Sequence, residues 1–124
     1  MKQTYIGVDI IEINRVRDAI DRWGDHFLQR IYTGSEIELC GGRAYSLAAR
    51  FAGKEAAVKA LHTAGQSIGW REVEILSEIS GKPVIHLHGQ AQERARELGL
   101  AGLEISLSHS RENAVAFVIG IKEE

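Results

Sequence analysis

The chain has 124 residues, with 15 Lys+Arg against 17 Asp+Glu for a net charge of −2, and 44% of its residues are hydrophobic. That is one domain's worth of soluble globular protein, too small to enclose a large pocket by itself. The charge balance excludes the basic stripe of a dedicated nucleic-acid binder, and no apolar run approaches the ~18 residues that cross a bilayer. Neither nucleic acid nor membrane is an expected partner. The single cysteine, Cys40, builds no intramolecular disulfide, and the N-terminus shows no long apolar signal region, so a cytoplasmic, reducing location is expected.

In chain order, residues 5–11 read as a short buried strand that holds one carboxylate, Asp9. Val16, Ala19, Ile20, Trp23 and Phe27 then recur at spacings of three and four. This predicts an amphipathic helix over about 12–23, with Val16, Ala19, Ile20 and Trp23 as its buried stripe and Gly24 at its end. Two overlapping capping boxes, Thr33 with Glu36 and Ser35 with Glu38, start a short helix. A longer helix covers about 44–62, and Gly65, Ser67 and Gly69 mark the loop after it. Residues 70–76 alternate as a strand, and Gly81-Lys82-Pro83 turns the chain into another at 84–88. A helix at about 90–98 ends at Gly99. Leu103, Ile105 and Leu107 alternate with Glu104, Ser106 and Ser108. The last strand, residues 114–121, is apolar on both faces, so it lies centrally in a sheet or under another subunit. The class is α+β: an antiparallel sheet packed against a long central helix and shorter helices, one domain over residues 1–124.

The helix at 47–61 is Ala-rich around most of its circumference, which predicts burial on several sides. Its charges form two i, i+4 pairs, Arg50 with Lys54 and Glu55 with Lys59, about 140° apart around the axis at ~100° per residue. One pair faces solvent and the other a packed side. Glu55 with Lys59 is either a plain intrahelical pair, or a metal-binding carboxylate on a packed face with a lysine for an anion one turn on. Asp9 either caps helix N–H groups or, because an ionised carboxylate in an apolar setting needs compensation, shares a cation with Glu55. Mg²⁺ suits such a pair, since it takes a few carboxylates plus water and phosphate oxygens. His109, between Ser108 and Ser110 at a strand end, is a structural histidine or part of an anion site. Ser108 with His109 lacks the Gly-x-Ser-x-Gly elbow of a hydrolase. His86 and His88 share a strand face that reads as solvent-facing, without a third metal ligand.

Together these segments resemble the holo-[acyl-carrier-protein] synthase family of small bacterial 4′-phosphopantetheinyl transferases. The resemblance rests on Gly7-Val8-Asp9-Ile10 with Glu12 and Arg15, on residues 27–33 with Glu36, and on the run from Ala49 to Ala60 that contains Arg50-Phe51-Ala52-Gly53-Lys54-Glu55. Trp70, Gly81-Lys82-Pro83, Leu87-His88-Gly89 and Ser106-Leu107-Ser108-His109 continue it in the same order. The resemblance implies transfer of 4′-phosphopantetheine from coenzyme A to a serine of apo acyl carrier protein, as in fatty acid biosynthesis, releasing adenosine 3′,5′-bisphosphate. It further implies a homotrimer with active sites between subunits. Asp9 and Glu55 would hold Mg²⁺, Lys59 and His109 would contact the phosphates of coenzyme A, and Glu55 is a candidate base. Arg15, with Arg22 on the same helix face, would dock the acidic carrier protein. Three departures stand out: His62-Thr63-Ala64-Gly65 replaces a Gly-Thr-Gly, Gly53 replaces an alanine at about 1 kcal/mol of helix propensity, and the stretch from Cys40 to Leu47 is short. The rival readings are a non-catalytic module binding coenzyme A or carrier protein, and a structural trimer whose charges are only ion pairs.

Overall fold

The computed structural model describes residues 2–62 and 67–123. The elements are β1 (Lys2–Glu12), α1 (Ile13–Trp23), α2 (Asp25–Ile31), α3 (Gly34–Cys40) and α4 (Ala44–Ala60), then β2 (Val73–Ser77), β3 (Pro83–Leu87), α5 (Gly89–Glu97), β4 (Glu104–His109) and β5 (Asn113–Glu123). β5 runs between β1 and β4 in an antiparallel sheet, and β2 pairs with β3 in a separate hairpin. The α+β reading and the central place of the last strand are borne out. The register sets Asp9 opposite Ala116 and Ala116 opposite Leu107; Ile11, Ala114 and His109 form the next row toward the start of α1.

Three local expectations need correction. β1 is not a short buried strand: it has 11 residues, and Ile6, Val8 and Ile10 are exposed on its outer face. Trp23 is not part of a buried stripe. Val16 is buried and Ala19 and Ile20 are half-buried, whereas Trp23 is 58% exposed with the Arg22 guanidinium 5.8 Å from its ring centroid. Phe27 belongs to α2, a separate two-turn helix that begins after the positive φ of Gly24. Residues 70–72, read as strand, form a 3-10 turn leading into β2. The departure at Thr63, Ala64 and Gly65 lies outside the described residues.

The sheet's inner face is covered by α4. Ala52, Ala56 and Ala60 are fully buried there against Ala116 and Val118, so helix and sheet meet through small side chains. Gly7 makes the approach possible: a Cβ at that position would collide with the Ala56 carbonyl oxygen and stand 2.9 Å from the Ala60 nitrogen. Gly53 serves the same end on another side of the helix, where a Cβ would collide with Ile75 Cδ1 and come within 3.0 Å of Ile105 Cδ1. Its low helix propensity is offset by this close packing.

The packed cations of α4 are Arg50 and Lys54. Lys54 Nζ donates to Glu36 Oε1 at 2.8 Å, to the Trp70 carbonyl at 3.1 Å and to the Val73 carbonyl. All three of its protons are thus used, which an ammonium buried to this degree requires. Burial lowers the Lys54 pKa, and Glu36 opposes that shift. Glu36 also accepts from the Thr33 and Ile75 amides, at 2.9 and 2.8 Å. The Thr33–Glu36 capping box is formed, and its carboxylate ties α3, α4 and β2 into one unit.

Gly7→Ala is expected to destabilise the fold by about 1–3 kcal/mol or more, because the added methyl meets backbone that cannot yield without moving α4. Gly34→Ala, where an added Cβ meets nothing within 4 Å, should leave Tm unchanged. Side-by-side thermal melts check the pair; equal Tm values would contradict the close approach.

Candidate active site

Alternation along β1 puts Asp9 on the same face as Gly7, toward α4. On α4, Glu55 and Lys59 flank the Ala56–Ala60 ridge that touches Gly7. The close approach therefore delivers three charged side chains to one edge of the helix–sheet seam. Lys59 Nζ donates to Asp9 Oδ1 at 3.1 Å and to the Val8 carbonyl at 3.0 Å. Lys59 thus reaches across to the strand, while its side chain stays 54% exposed and that of Asp9 is 21% exposed. Asp9 does not cap α1: β1 continues to Glu12, which is the N-cap residue.

The cleft beside this cluster has a volume of about 480 Å³ and is bordered by Asp9, Glu55 and Arg15, with Phe27, Phe51 and Val16 as apolar wall. Glu55 is half-buried at this border rather than on a packed face, so the solvent-side pair of α4 is Glu55/Lys59 and the packed pair is Arg50/Lys54. Burial raises the Glu55 pKa, the negative charge of Asp9 raises it further, and Lys59 pulls it back. Two mutually repelling carboxylates at one cleft suit a divalent cation more than they suit each other.

Arg15 also borders a second cleft of about 490 Å³ with Asp18, Ala19, Arg22 and Trp23, so Arg15 and Arg22 share one hollow next to the carboxylate cluster. His109 is not in either cleft. It stacks on Tyr45, centroids 4.8 Å apart, and lines a separate hollow of about 210 Å³ with Arg50, Ser77 and Pro83. By register it lies two strands from β1, roughly 10 Å at ordinary strand spacing. A single chain thus brings together Asp9, Glu55, Lys59 and Arg15, sets Arg22 next door, and holds His109 apart.

Sequence reasoning missed the parts of the site made by tertiary packing. Arg50 was read only as half of a helix pair; it donates to the Ile75 carbonyl at 3.3 Å and to Ser77 Oγ at 3.0 Å, and it lines the His109 hollow. Tyr45 carries no sequence signal beyond hydrophobicity, and Phe27 and Phe51 enter the sequence reading only through helical spacing and the resembling motifs, not as a cleft wall. His86 and His88 are solvent-facing as expected, with His88 Nε2 3.1 Å from Glu74 Oε1. Among the described residues no group of three or more His, Cys, Asp or Glu side chains is placed to hold a metal. Cys40 is buried, and burial pushes its thiol pKa up, so it is an inert core residue. No described helix is long and apolar enough to cross a membrane.

One chain thus gathers a carboxylate pair and a lysine at one cleft of a small α+β scaffold. The chain belongs to the 4′-phosphopantetheinyl transferase superfamily, whose model it matches over residues 5–118. It is 48% identical over 122 residues to a holo-[acyl-carrier-protein] synthase of Herpetosiphon aurantiacus, covering 93% of this chain and 96% of that relative. A protein of the same name from Dehalococcoides mccartyi is 50% identical over 115 residues, with 93% and 96% covered. The crystal structure of Helicobacter pylori holo-[acyl-carrier-protein] synthase in complex with coenzyme A matches with a TM-score of 0.82 at 32% identity, over 93% of this chain and 98% of that one.

The raised Glu55 pKa has a consequence for stability. A carboxyl whose folded pKa lies above its unfolded value costs stability once ionised, and the cost is relieved as pH falls through the folded pKa. Glu55→Gln should therefore raise Tm by a few degrees at pH 7 in metal-free buffer. The gain should shrink toward pH 4 as the unaltered side chain takes up its proton. A lower Tm for the variant at pH 7 would contradict the placement of Glu55.

Proposed function

We propose that the chain is an enzyme transferring the 4′-phosphopantetheine group of coenzyme A to a serine hydroxyl of apo acyl carrier protein, releasing adenosine 3′,5′-bisphosphate. The observation that carries this reading is the convergence of Asp9, Glu55 and Lys59 at one cleft, next to a helix that presents Arg15 and Arg22. Residues 1–124 act as one transferase domain of the cytoplasm, consistent with a family match that leaves only short ends uncovered.

The donor set fits Mg²⁺: two carboxylates, hard oxygen donors, repel each other at the cleft, and water and substrate phosphates complete the shell such an ion prefers. Asp9 and Glu55 would hold it; when bound, it supplies positive charge that neutralises the pyrophosphate of coenzyme A. Lys59, more than half exposed, leaves Asp9 for the phosphates and stabilises the charge that develops on the leaving bisphosphate. The serine oxygen forms a bond to the phosphorus that bears pantetheine while the pyrophosphate P–O bond breaks, and the hydroxyl proton goes to a base. Glu55, at the border of the cleft, is the candidate to take it. Arg15 borders both clefts, so it orients the carrier protein's serine toward the carboxylates.

His109 joins this chemistry from a neighbouring protomer in a homotrimer. The outer face of the sheet supports assembly: Ile6, Val8, Ile10, Phe117 and Ile121 are all exposed there, a patch that a 124-residue soluble chain leaves uncovered only to bury it against a partner. The anion-facing hollow at His109, with Arg50 and Tyr45, then completes a cleft that one protomer only begins.

The test is mass spectrometry of apo acyl carrier protein incubated with the protein, coenzyme A and Mg²⁺. The carrier should gain one phosphopantetheine unit, and Glu55→Gln should lose nearly all turnover while keeping its fold; a carrier of unchanged mass would overturn the reading. Light scattering should give three times the chain mass and Tm should rise with protein concentration, whereas an active monomer at micromolar concentration would contradict the trimer. Arg15→Ala should raise KM for the carrier protein several-fold with less effect on KM for coenzyme A. The carrier KM of the unaltered protein should climb with salt as the screening length falls to ~8 Å near physiological strength. A salt-independent carrier KM would remove α1 as the docking face.

A further inference from the structure

The far end of the α4–β1 seam is built with unusual care. Beyond Gly7, Tyr5 lies on the same strand face as Asp9, and His62 follows the C-cap residue Leu61 just past the end of α4. The Tyr5 and His62 rings meet edge to face with centroids 5.5 Å apart. The seam thus has two rungs, Asp9–Lys59 and Tyr5–His62, about 13 Å apart along the strand. His62 is the one non-glycine residue with positive φ among the described residues, at 48°, a conformation that a side chain bearing Cβ adopts only when its surroundings hold it there.

What holds it is Arg94 of α5. Its guanidinium donates from Nε to the Leu61 carbonyl at 2.9 Å and from Nη2 to the His62 carbonyl at 2.8 Å, while Nη1 meets Glu97 Oε1 at 3.4 Å. These two carbonyls close the C-terminus of α4, where carbonyls have no intrahelical partner and where a cation is favoured by the helix dipole. The turn that Arg94 closes starts at Lys59, because the His62 amide donates to the Lys59 carbonyl at 3.2 Å.

We propose that Arg94 is a positioning residue for coenzyme A: by gripping both carbonyls it fixes the terminal turn of α4, and with it the direction from which Lys59 meets the phosphates. The inference rests on the phosphopantetheinyl transfer reading. Arg94 touches no substrate and acts through the backbone. A lysine in its place is a point donor and grips one carbonyl, where the planar fork grips two.

The experiment is steady-state kinetics of Arg94→Ala and Arg94→Lys with coenzyme A and apo acyl carrier protein, paired with NMR of the His62 imidazole. Arg94→Ala should raise KM for coenzyme A and lower kcat, together cutting kcat/KM for coenzyme A by about tenfold, with the carrier KM within about twofold of the unaltered protein, the mark of misplaced substrate contacts. Arg94→Lys should fall between the two, and the ring-current shift that Tyr5 imposes on His62 should be lost in the alanine variant. An unchanged KM for coenzyme A with a working enzyme overturns the proposal, as does a loss that falls equally on kcat and on both substrates. If Arg94→Ala does not fold, the lysine variant alone decides, since an unaltered KM there contradicts the two-carbonyl grip. Failure of the transfer reading is a different result: no transfer by the unaltered protein, with the His62 shift still sensitive to Arg94.

Discussion

The contact between Gly7 and the Ala56–Ala60 backbone sets the distance between β1 and α4, and the rest of the site follows from that distance. Side chains two residues along the strand and on either side of the contact on the helix are brought together without any loop. Asp9, Glu55 and Lys59 therefore sit on rigid regular elements, where small displacements are resisted by packed alanines on one side and by β5 on the other. A helix carrying larger residues at positions 52, 56 and 60 would ride higher on the sheet and pull its lysine off Asp9.

The same helix separates its charges by function. Its Arg50 and Lys54 side faces β2, where backbone carbonyls and the Glu36 carboxylate satisfy every proton of the buried ammonium. Its Glu55 and Lys59 side stays partly wet, where charges remain available to a substrate. Removing one partner of the buried set would leave an uncompensated charge, a loss of about 3–5 kcal/mol in comparable cases. On the proposed function, changing the wet set would cost chemistry more than stability.

Much of this was legible in the residues. The Ala-rich run and its two charge pairs foretold a many-sided helix with one packed and one open pair, though not which was which. That choice depends on where β2 and Glu36 lie, 18 to 39 residues away in sequence from their partners. The Thr33–Glu36 capping box was readable because capping is local. Trp23 departs from the expected stripe because it is the last residue of α1: Val16 on that face is buried and Ile20 half-buried, but at the helix end the ring lies beside Arg22 in solvent. The separation of His109 from Asp9 was invisible, because it follows from a strand order in which β5 lies between them. Gly53, a cost in helix propensity, lets the tips of Ile75 and Ile105 pack close against α4, which only the fold reveals.

The central claim is that a site begun by Asp9, Glu55 and Lys59 on one protomer is completed by His109 of the next. Its most direct test is a crystal structure of the protein grown with coenzyme A and Mg²⁺. The account predicts a trimer joined through the outer face of the sheet. The pyrophosphate should lie between the Asp9–Glu55–Lys59 cluster of one protomer and the His109 hollow of its neighbour. Coenzyme A bound within a single protomer, or away from Asp9 and Glu55, would contradict it.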